Sequence, residues 1–380
     1  MLLHIINRAE WETAVSQPPY RPDSLASEGF IHCSTVAQVL IPANAMFQGQ
    51  SDLVLLCIEP SKVASEIVYE DCYASGIAFP HIYGPLDPAA VVSIIDFPAN
   101  EDGSFSLPAV LDLWRDYPIL EFDSVKTAVI EPSEVRKPID IPEKCVLCFF
   151  QDVIKTLRDA GKLTHIHTLS SEMGPNLVYT MDFQGETIAL VHPGVGAALA
   201  GSFMEELIAL GCRQFVACGG AGVIHESVGL GDVVVPTTAV RDEGTSYHYL
   251  PPSREVSGSE TAVSAIETVL KRHHVGYQLG KTWTTDGIYR ETANLVTLRK
   301  AEGCLTVEME TATFFAIAQF RNVIFGQLLY GGDDLSGDEW DGRGWDELTS
   351  ARERLLQLAA EAVLTLPDER DAIFLKRWHL

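Results

Sequence analysis

From about residue 118 onward, short apolar runs alternate with longer segments of helical period. "GETIALVHP" (185–193), "RQFVACGGAG" (213–222), "GDVVVPTTAV" (231–240) and "NVIFGQLLYGGDD" (322–334) are apolar runs of strand length, each closed by Gly, Pro or polar residues. "ALAGSFMEELIALG" (198–211), "ETAVSAIETVLKRHH" (260–274) and "DELTSARERLLQLAAEAVLTL" (346–366) carry apolar residues at helical spacing. Strands alternating with helices predict an α/β sheet covered on both faces, and such sheets bind ligands at strand carboxyl ends. The stretch "LTVEMETATFFAIAQF" (305–320) is expected to be a buried helix. It opens with Glu308, Met309 and Glu310, although carboxylates are rarely buried unless paired or used. A solvated helix start and a working pair of acids are the two readings of that opening.

The first hundred residues are patterned differently. "LLHII", "EGFIHCST" and "FPHIYGPL" are short apolar runs, each holding a histidine: His4, His32 and His81. "FPANEDGSFSLPAVL" (97–111) is rich in Gly, Pro, Ser and acids and is expected to be a boundary loop. The expected organisation is a domain over 1–110, a second over 118–367 and a tail over 368–380, since "LTLPDERD" breaks the last helix. A chain of 380 residues has room for both cores.

The net charge of −25 repels nucleic acid and anionic membranes, so neither is an expected partner. An anionic substrate would need a local positive pocket. Eight cysteines lie mostly among apolar neighbours, which suggests reduced, buried thiols and a cytoplasmic setting. "CVLC" (145–148) has no second pair and no histidine array, so neither zinc nor redox chemistry is expected of it. "MLLHIINRAEWE" has no basic stretch ahead of a long apolar core, so no signal peptide is expected. No apolar run reaches the length needed to span a membrane.

Four clusters follow the apolar runs. "HPGVGAALAG" contains Gly194 and Gly196, and "ACGGAGV" contains Gly219, Gly220 and Gly222. Glycines there let backbone N–H groups approach an anion, or simply make a tight strand-to-helix turn. "RDEGTSYHYLPP" (241–252) gathers too many polar side chains for a core. "YGGDDLSGDEW" (330–340) places Asp333 and Asp334 at the end of an apolar strand. They are either two solvated acids or a pair in which one is kept neutral to act as a general acid.

In their order, "GVG", "CGGAGV", "GDVVVPT", "RDEGTSYHY", "TTDGIYRET", "VEMETA" and "GGDD" resemble the purine and uridine phosphorylase superfamily of nucleoside-cleaving enzymes over about 190–365. The resemblance implies a mixed sheet flanked by helices in an α/β C-terminal domain, and a homo-oligomer. It implies that Glu310 holds the ribose hydroxyls, that Met309 packs on the sugar and that Glu308 supports the site edge. A carboxylate can accept from two hydroxyls and favours an oxocarbenium-like transition state. It implies that Asp333 protonates the leaving base, with Asp334 the competitor, and that Ile288, Tyr289 and Arg290 line the base pocket. Gly194, Gly196, Gly219 and Gly220 would cradle phosphate. Where family phosphorylases carry a phosphate-binding Arg, this chain has Ala217, so Arg241 is the candidate substitute. Inorganic phosphate would be the co-substrate, with no other cofactor and no metal. Hydrolysis of a methylthioadenosine-like purine nucleoside is an alternative, as is a nucleotide sensor with weakened catalysis. Purine and pyrimidine bases both remain open.

The N-terminal runs resemble a small bacterial family of unknown function grouped with ADP-ribosyltransferase-like folds, over about 2–97. This implies a small α+β domain that binds NAD or ADP-ribose through His4, His32 and Ser34, with His81 in the same cleft. Glu70 does not stand in the motif of that superfamily's catalytic acid.

Overall fold

The computed structural model describes residues 1–72, 76–115, 117–337 and 339–367. The expected tail, 368–380, lies outside them. The chain forms two compact units, divided between Pro118 and Ile119.

Among the described residues the first unit has six strands: β1 (Leu2–Asn7), β2 (Ile31–His32), β3 (Leu53–Ile58), β4 (Glu66–Glu70), β5 (Phe79–Tyr83) and β6 (Val91–Asp96). They make two antiparallel sheets, β1-β3-β6 and β2-β5-β4. β3 is apolar at every position and buried at every position, as a strand covered on both faces must be. The expected boundary loop, 97–111, is not a linker. It delivers Phe97, Phe105 and Leu111 to the core beside Leu3, Leu53 and Leu55. Three apolar side chains offset its Gly, Pro and Ser content.

The second unit holds β7 (Lys144–Cys148), β8 (Thr164–Ser171), β9 (Gly174–Phe183), β10 (Glu186–Val191), β11 (Gln214–Val223), β12 (Val233–Asp242), β13 (Glu255–Ser257), β14 (Tyr277–Thr285), β15 (Cys304–Glu308) and β16 (Ile324–Asp334). Together they form one mixed sheet. β10, β7, β11 and β16 run parallel, as do β12, β14 and β15. Short antiparallel pairings of β11 with β15 and β12 with β16 join the two sets, so β11, β15, β14, β12 and β16 close on themselves without a free edge. The predicted α/β class with a mixed sheet is the observed one. Two apolar layers lie on its faces, and β7 divides between them: Val146 and Cys148 enter one, Cys145 and Leu147 the other. Residues three apart on a strand point to opposite faces. Cys145 and Cys148 therefore cannot act as one pair, and all eight cysteines are free.

The largest departure from the sequence reading is at 305–320. Cys304–Glu308 is a strand, pairing in parallel with β14 as Thr282↔Thr306, Trp283↔Val307 and Thr284↔Glu308. The helix begins only at Thr311 and runs to Arg321, buried on all sides from Thr311 to Ala318. The β-branched Thr306 and Val307 suit the strand, and period 3.6 takes over where the Ala and Phe residues begin. The helix stops at Asn322, which takes the left-handed conformation at φ 55°.

Candidate active site

The site is built on the strand-to-helix turn Glu308–Glu310, and the two acids do different work. Glu308 ends β15 with its side chain on the face of Thr284. Its Oε1 accepts from the Thr284 hydroxyl at 2.6 Å, and its Oε2 accepts from the backbone N–H groups of Glu310 and Thr311, each at 2.7 Å. Thr284 Oγ1 also accepts from the Ala312 N–H at 3.0 Å. These bonds satisfy the first turn of the helix Thr311–Arg321. Burial pushes the Glu308 carboxyl up and those donors oppose it. Glu308, expected as a support at the site edge in the ribose-binding group, gives its acceptors to Thr284 and the helix start.

Glu310 is only 6% exposed, and its Oε1 accepts from the Gly196 N–H at 2.5 Å. Burial first, then the charge of Glu308, push its carboxyl up to about 8. It is thus a buried acid with spare acceptor positions, and near neutral pH it holds a proton. Met309, between the two acids, is half-buried. Gly194 and Gly196 have φ of +82° and +91°, which only glycine adopts without strain. That conformation turns the chain from β10 into the helix Ala197–Leu210 and aims the Gly196 N–H at Glu310. The Gly194 N–H donates to His192 Nδ1 at 3.1 Å, and burial lowers the His192 imidazole, so it is neutral. Phe149, just after β7, meets His192 edge-on at 6.0 Å and lies so close under Gly219 that a Cβ there would sit 3.1 Å from its ring. Gly220 is exposed at the same strand end. The four predicted glycines thus lie at carboxyl ends of neighbouring or near-neighbouring parallel strands, but the Gly196 N–H is already taken by a carboxylate.

The two aspartates at the end of β16 also separate. Asp334 pairs with Arg343 and accepts from the Ser336 N–H at 2.8 Å. Against the desolvation that would raise it, those groups hold its carboxyl below the usual range. Asp334 is an ionised structural acid. Asp333 accepts only from the Trp340 indole N–H, at 2.7 Å, among the hydrogen bonds of its side chain in the described residues. Burial, and then the charge of Asp333, push the Glu291 carboxyl up to about 7.

Two further expectations meet the structure less well. Arg241 is buried, and all three of its guanidinium nitrogens donate within its own loop. Its Nε donates to Ser246 at 2.9 Å, its Nη1 to the Pro251 carbonyl and the Ser253 hydroxyl at 2.7 Å each, and its Nη2 to the Leu250 carbonyl at 3.2 Å. A guanidinium committed to four acceptors is a loop clamp, and its expected role as a phosphate ligand is set aside on that ground. Ile288, Tyr289 and Arg290 form one exposed turn after β14. Tyr289 is 94% exposed, so these residues line no enclosed pocket in the single chain.

In the first unit, His4 is a satisfied core residue. Its Nδ1 donates to the His32 carbonyl at 2.6 Å and its Nε2 accepts from the Tyr20 hydroxyl at 3.1 Å. Burial pushes it down to about 4, so it is neutral. Ser34 is buried, with its backbone paired to Leu3. His32 and His81 do converge, with ring centres 5.4 Å apart. Sequence reasoning missed His192, Phe149, Glu291, Trp340 and Arg343. Each is an ordinary residue type made local by the fold, though His192, Glu291 and Trp340 lie inside quoted motifs.

A mixed α/β sheet whose strand carboxyl ends gather a buried acid, positive-φ glycines and a second acid is the architecture of an α/β enzyme with its ligand site at those strand ends. The chain belongs to the phosphorylase superfamily, whose family model matches residues 144–366. Residues 5–94 match a second family, described only as a protein of unknown function, DUF952. The guanosine phosphorylase of Halorubrum lacusprofundi is 27% identical over 223 residues, a match covering 55% of this chain and 91% of that protein. The uridine phosphorylase of Thermococcus kodakarensis is 27% identical over 165 residues, 39% of this chain and 58% of that protein. A crystal structure of uridine phosphorylase from Vibrio fischeri superposes with a TM-score of 0.49 at 21% identity, covering 61% of this chain and 94% of that one.

Proposed function

We propose that the second unit is a nucleoside phosphorylase, which cleaves the N-glycosidic bond of a nucleoside with inorganic phosphate as co-substrate. The observation that carries this reading is Glu310, a buried carboxyl at a strand-to-helix turn whose partners are backbone N–H groups, that of Gly196 at 2.5 Å first. Ribose hydroxyls donating to it would favour its ionised form, and a carboxylate there steadies the positive charge that grows on the sugar as the bond to the base breaks. Met309 would pack on the sugar. Asp333 would give its proton to the departing base, with the Trp340 indole N–H orienting its carboxyl. The exposed Ile288, Tyr289 and Arg290 would face the base once a second copy of the chain covers them, which is the reason to expect a homo-oligomer, tested by light scattering. The reduced thiols favour a cytoplasmic setting, and no helix among the described residues is long and apolar enough to cross a membrane.

Hydrolysis is the second reading, favoured by Ala217 and by the engagement of Arg241, which leave the phosphate without its expected Arg. A sensor that binds nucleotide without turnover is the third. One experiment separates them: a panel of guanosine, inosine, adenosine, methylthioadenosine and uridine, incubated with and without phosphate. Ribose 1-phosphate formed only with phosphate supports phosphorolysis. Free ribose without phosphate replaces it with hydrolysis, and binding without base release leaves the sensor. For the first unit, binding of NAD or ADP-ribose now rests on His32 and His81, and calorimetry of the full chain with both nucleotides tests it.

A further inference from the structure

The sheet β2-β5-β4 of the first unit carries a set of side chains that nucleoside cleavage does not use. His32 stands directly opposite His81, and His81 directly opposite Val68. Side chains two apart on a strand share a face, so Glu70 follows Val68 on the face of His81, and Cys72 stands two residues past the strand end. Glu70 Oε1 lies 3.1 Å from His81 Nδ1, and Cys72 Sγ lies 3.7 Å from the same nitrogen. All three ligand atoms fall within 4.8 Å of one another.

We propose that Glu70, Cys72 and His81 form a binding site for one borderline-soft divalent cation, with zinc the best fit. Bond lengths of about 2.0–2.1 Å to nitrogen and oxygen and about 2.3 Å to sulfur give tetrahedral edges of about 3.3 Å and 3.5 Å. The two measured separations lie within about 0.2 Å of those edges. The ligands are one thiolate, one imidazole and one carboxylate, a mixture that suits zinc and disfavours calcium or magnesium. On binding, the cation gives up three waters, the Cys72 thiol proton passes to solvent, and the His81 proton that now faces Glu70 shifts to Nε2. The surroundings hold the ligands in place. The Tyr83 hydroxyl donates to Glu70 Oε1 at 2.6 Å, and Phe30 stacks on the His81 ring at 4.0 Å. His81 is 2% exposed whereas Cys72 is exposed, so the fourth position opens toward solvent and can take water or a small anionic ligand.

The test is titration of the reduced full-length chain with Co(II), which reports thiolate ligation as a sulfur-to-metal charge-transfer band, followed by competition with Zn(II). Cys72 is the one exposed cysteine of the eight, so the band can be assigned. One equivalent should bind with the band, and zinc should displace it. Cys72→Ser should abolish the band, and Glu70→Gln should weaken binding at least 10-fold, with circular dichroism unchanged in both. Tyr83→Phe, which removes the hydroxyl bonded to Glu70 and keeps the ring beside Phe30, should weaken binding about 10- to 100-fold while keeping the band. No stoichiometric binding at micromolar free metal, binding without the band, or a band that survives Cys72→Ser overturns the proposal.

Discussion

At the residue scale, the two acids of "VEMET" look alike in sequence and differ in hydrogen bonding. Glu308 has three protein donors at 2.7 Å or less, and Glu310 has one. Glu310→Gln should keep the Gly196 bond and the fold but lower kcat/KM about 100-fold, or roughly 3 kcal/mol of transition-state stabilisation. Wild-type turnover in steady-state assays would refute its place on the ribose. The same substitution has an opposite effect on stability. A carboxyl raised from 4.5 to about 8 in the folded chain contributes stability in full only below about 4.5. That contribution is lost as the pH climbs through 8, and glutamine carries no such penalty. Glu310→Gln should therefore match the wild type near pH 4.5 and exceed it at pH 9, by on the order of 2–4 kcal/mol. Denaturant melts across that range check the sign, and an unchanging difference contradicts the raised carboxyl. Asp333→Asn should slow substrates whose base must be protonated to leave, and spare a purine already activated as a leaving group. Since Asp334 is held by Arg343 and Ser336, Asp334→Asn should act on stability first.

At the scale of elements, the site depends on one strand-to-helix junction being held from both sides. Thr284 on β14 gives its hydroxyl proton to Glu308 and accepts from the Ala312 N–H, so it fastens strand, turn and helix at one buried point. Thr284→Val keeps the shape and removes both bonds. It should cost about 1–3 kcal/mol of stability, because a buried carboxylate and a buried N–H each lose a partner. It should also lower activity through Glu310, which the junction positions. A variant with unchanged melting would show that solvent reaches the junction. The sequence disclosed most of the elements themselves. β10, β11, β12 and β16 and the helices Ala197–Leu210, Glu260–Arg272 and Thr349–Thr365 lie within a few residues of the apolar periods that predict them. β15 was hidden because five residues of strand run without a turn signal into a helix of the same apolar character.

At the scale of the whole molecule, the two units have separate cores, and residues 119–143 belong with the second. Ile139 and Ile141 pack into one of its apolar layers, and Glu131 pairs with Arg321. A fragment beginning at Ile119 should therefore fold cooperatively and cleave the same nucleosides as the full chain. Insolubility, or loss of activity with the full chain active, would mean that the first unit completes the site. The sequence by itself determined the α/β class of the second unit and the turn at Gly194 and Gly196 after β10. These follow from hydrophobic period and from backbone sterics, which act over a few residues. Only the tertiary structure decided which acid caps a helix and which is left with free acceptors, that Arg241 clamps its own loop, and that Glu70, Cys72 and His81 meet. Each of those outcomes turns on which distant donor reaches a side chain. Strand register sets that partner, at 2.6 Å across 24 residues for Thr284 and Glu308, and no local pattern records it.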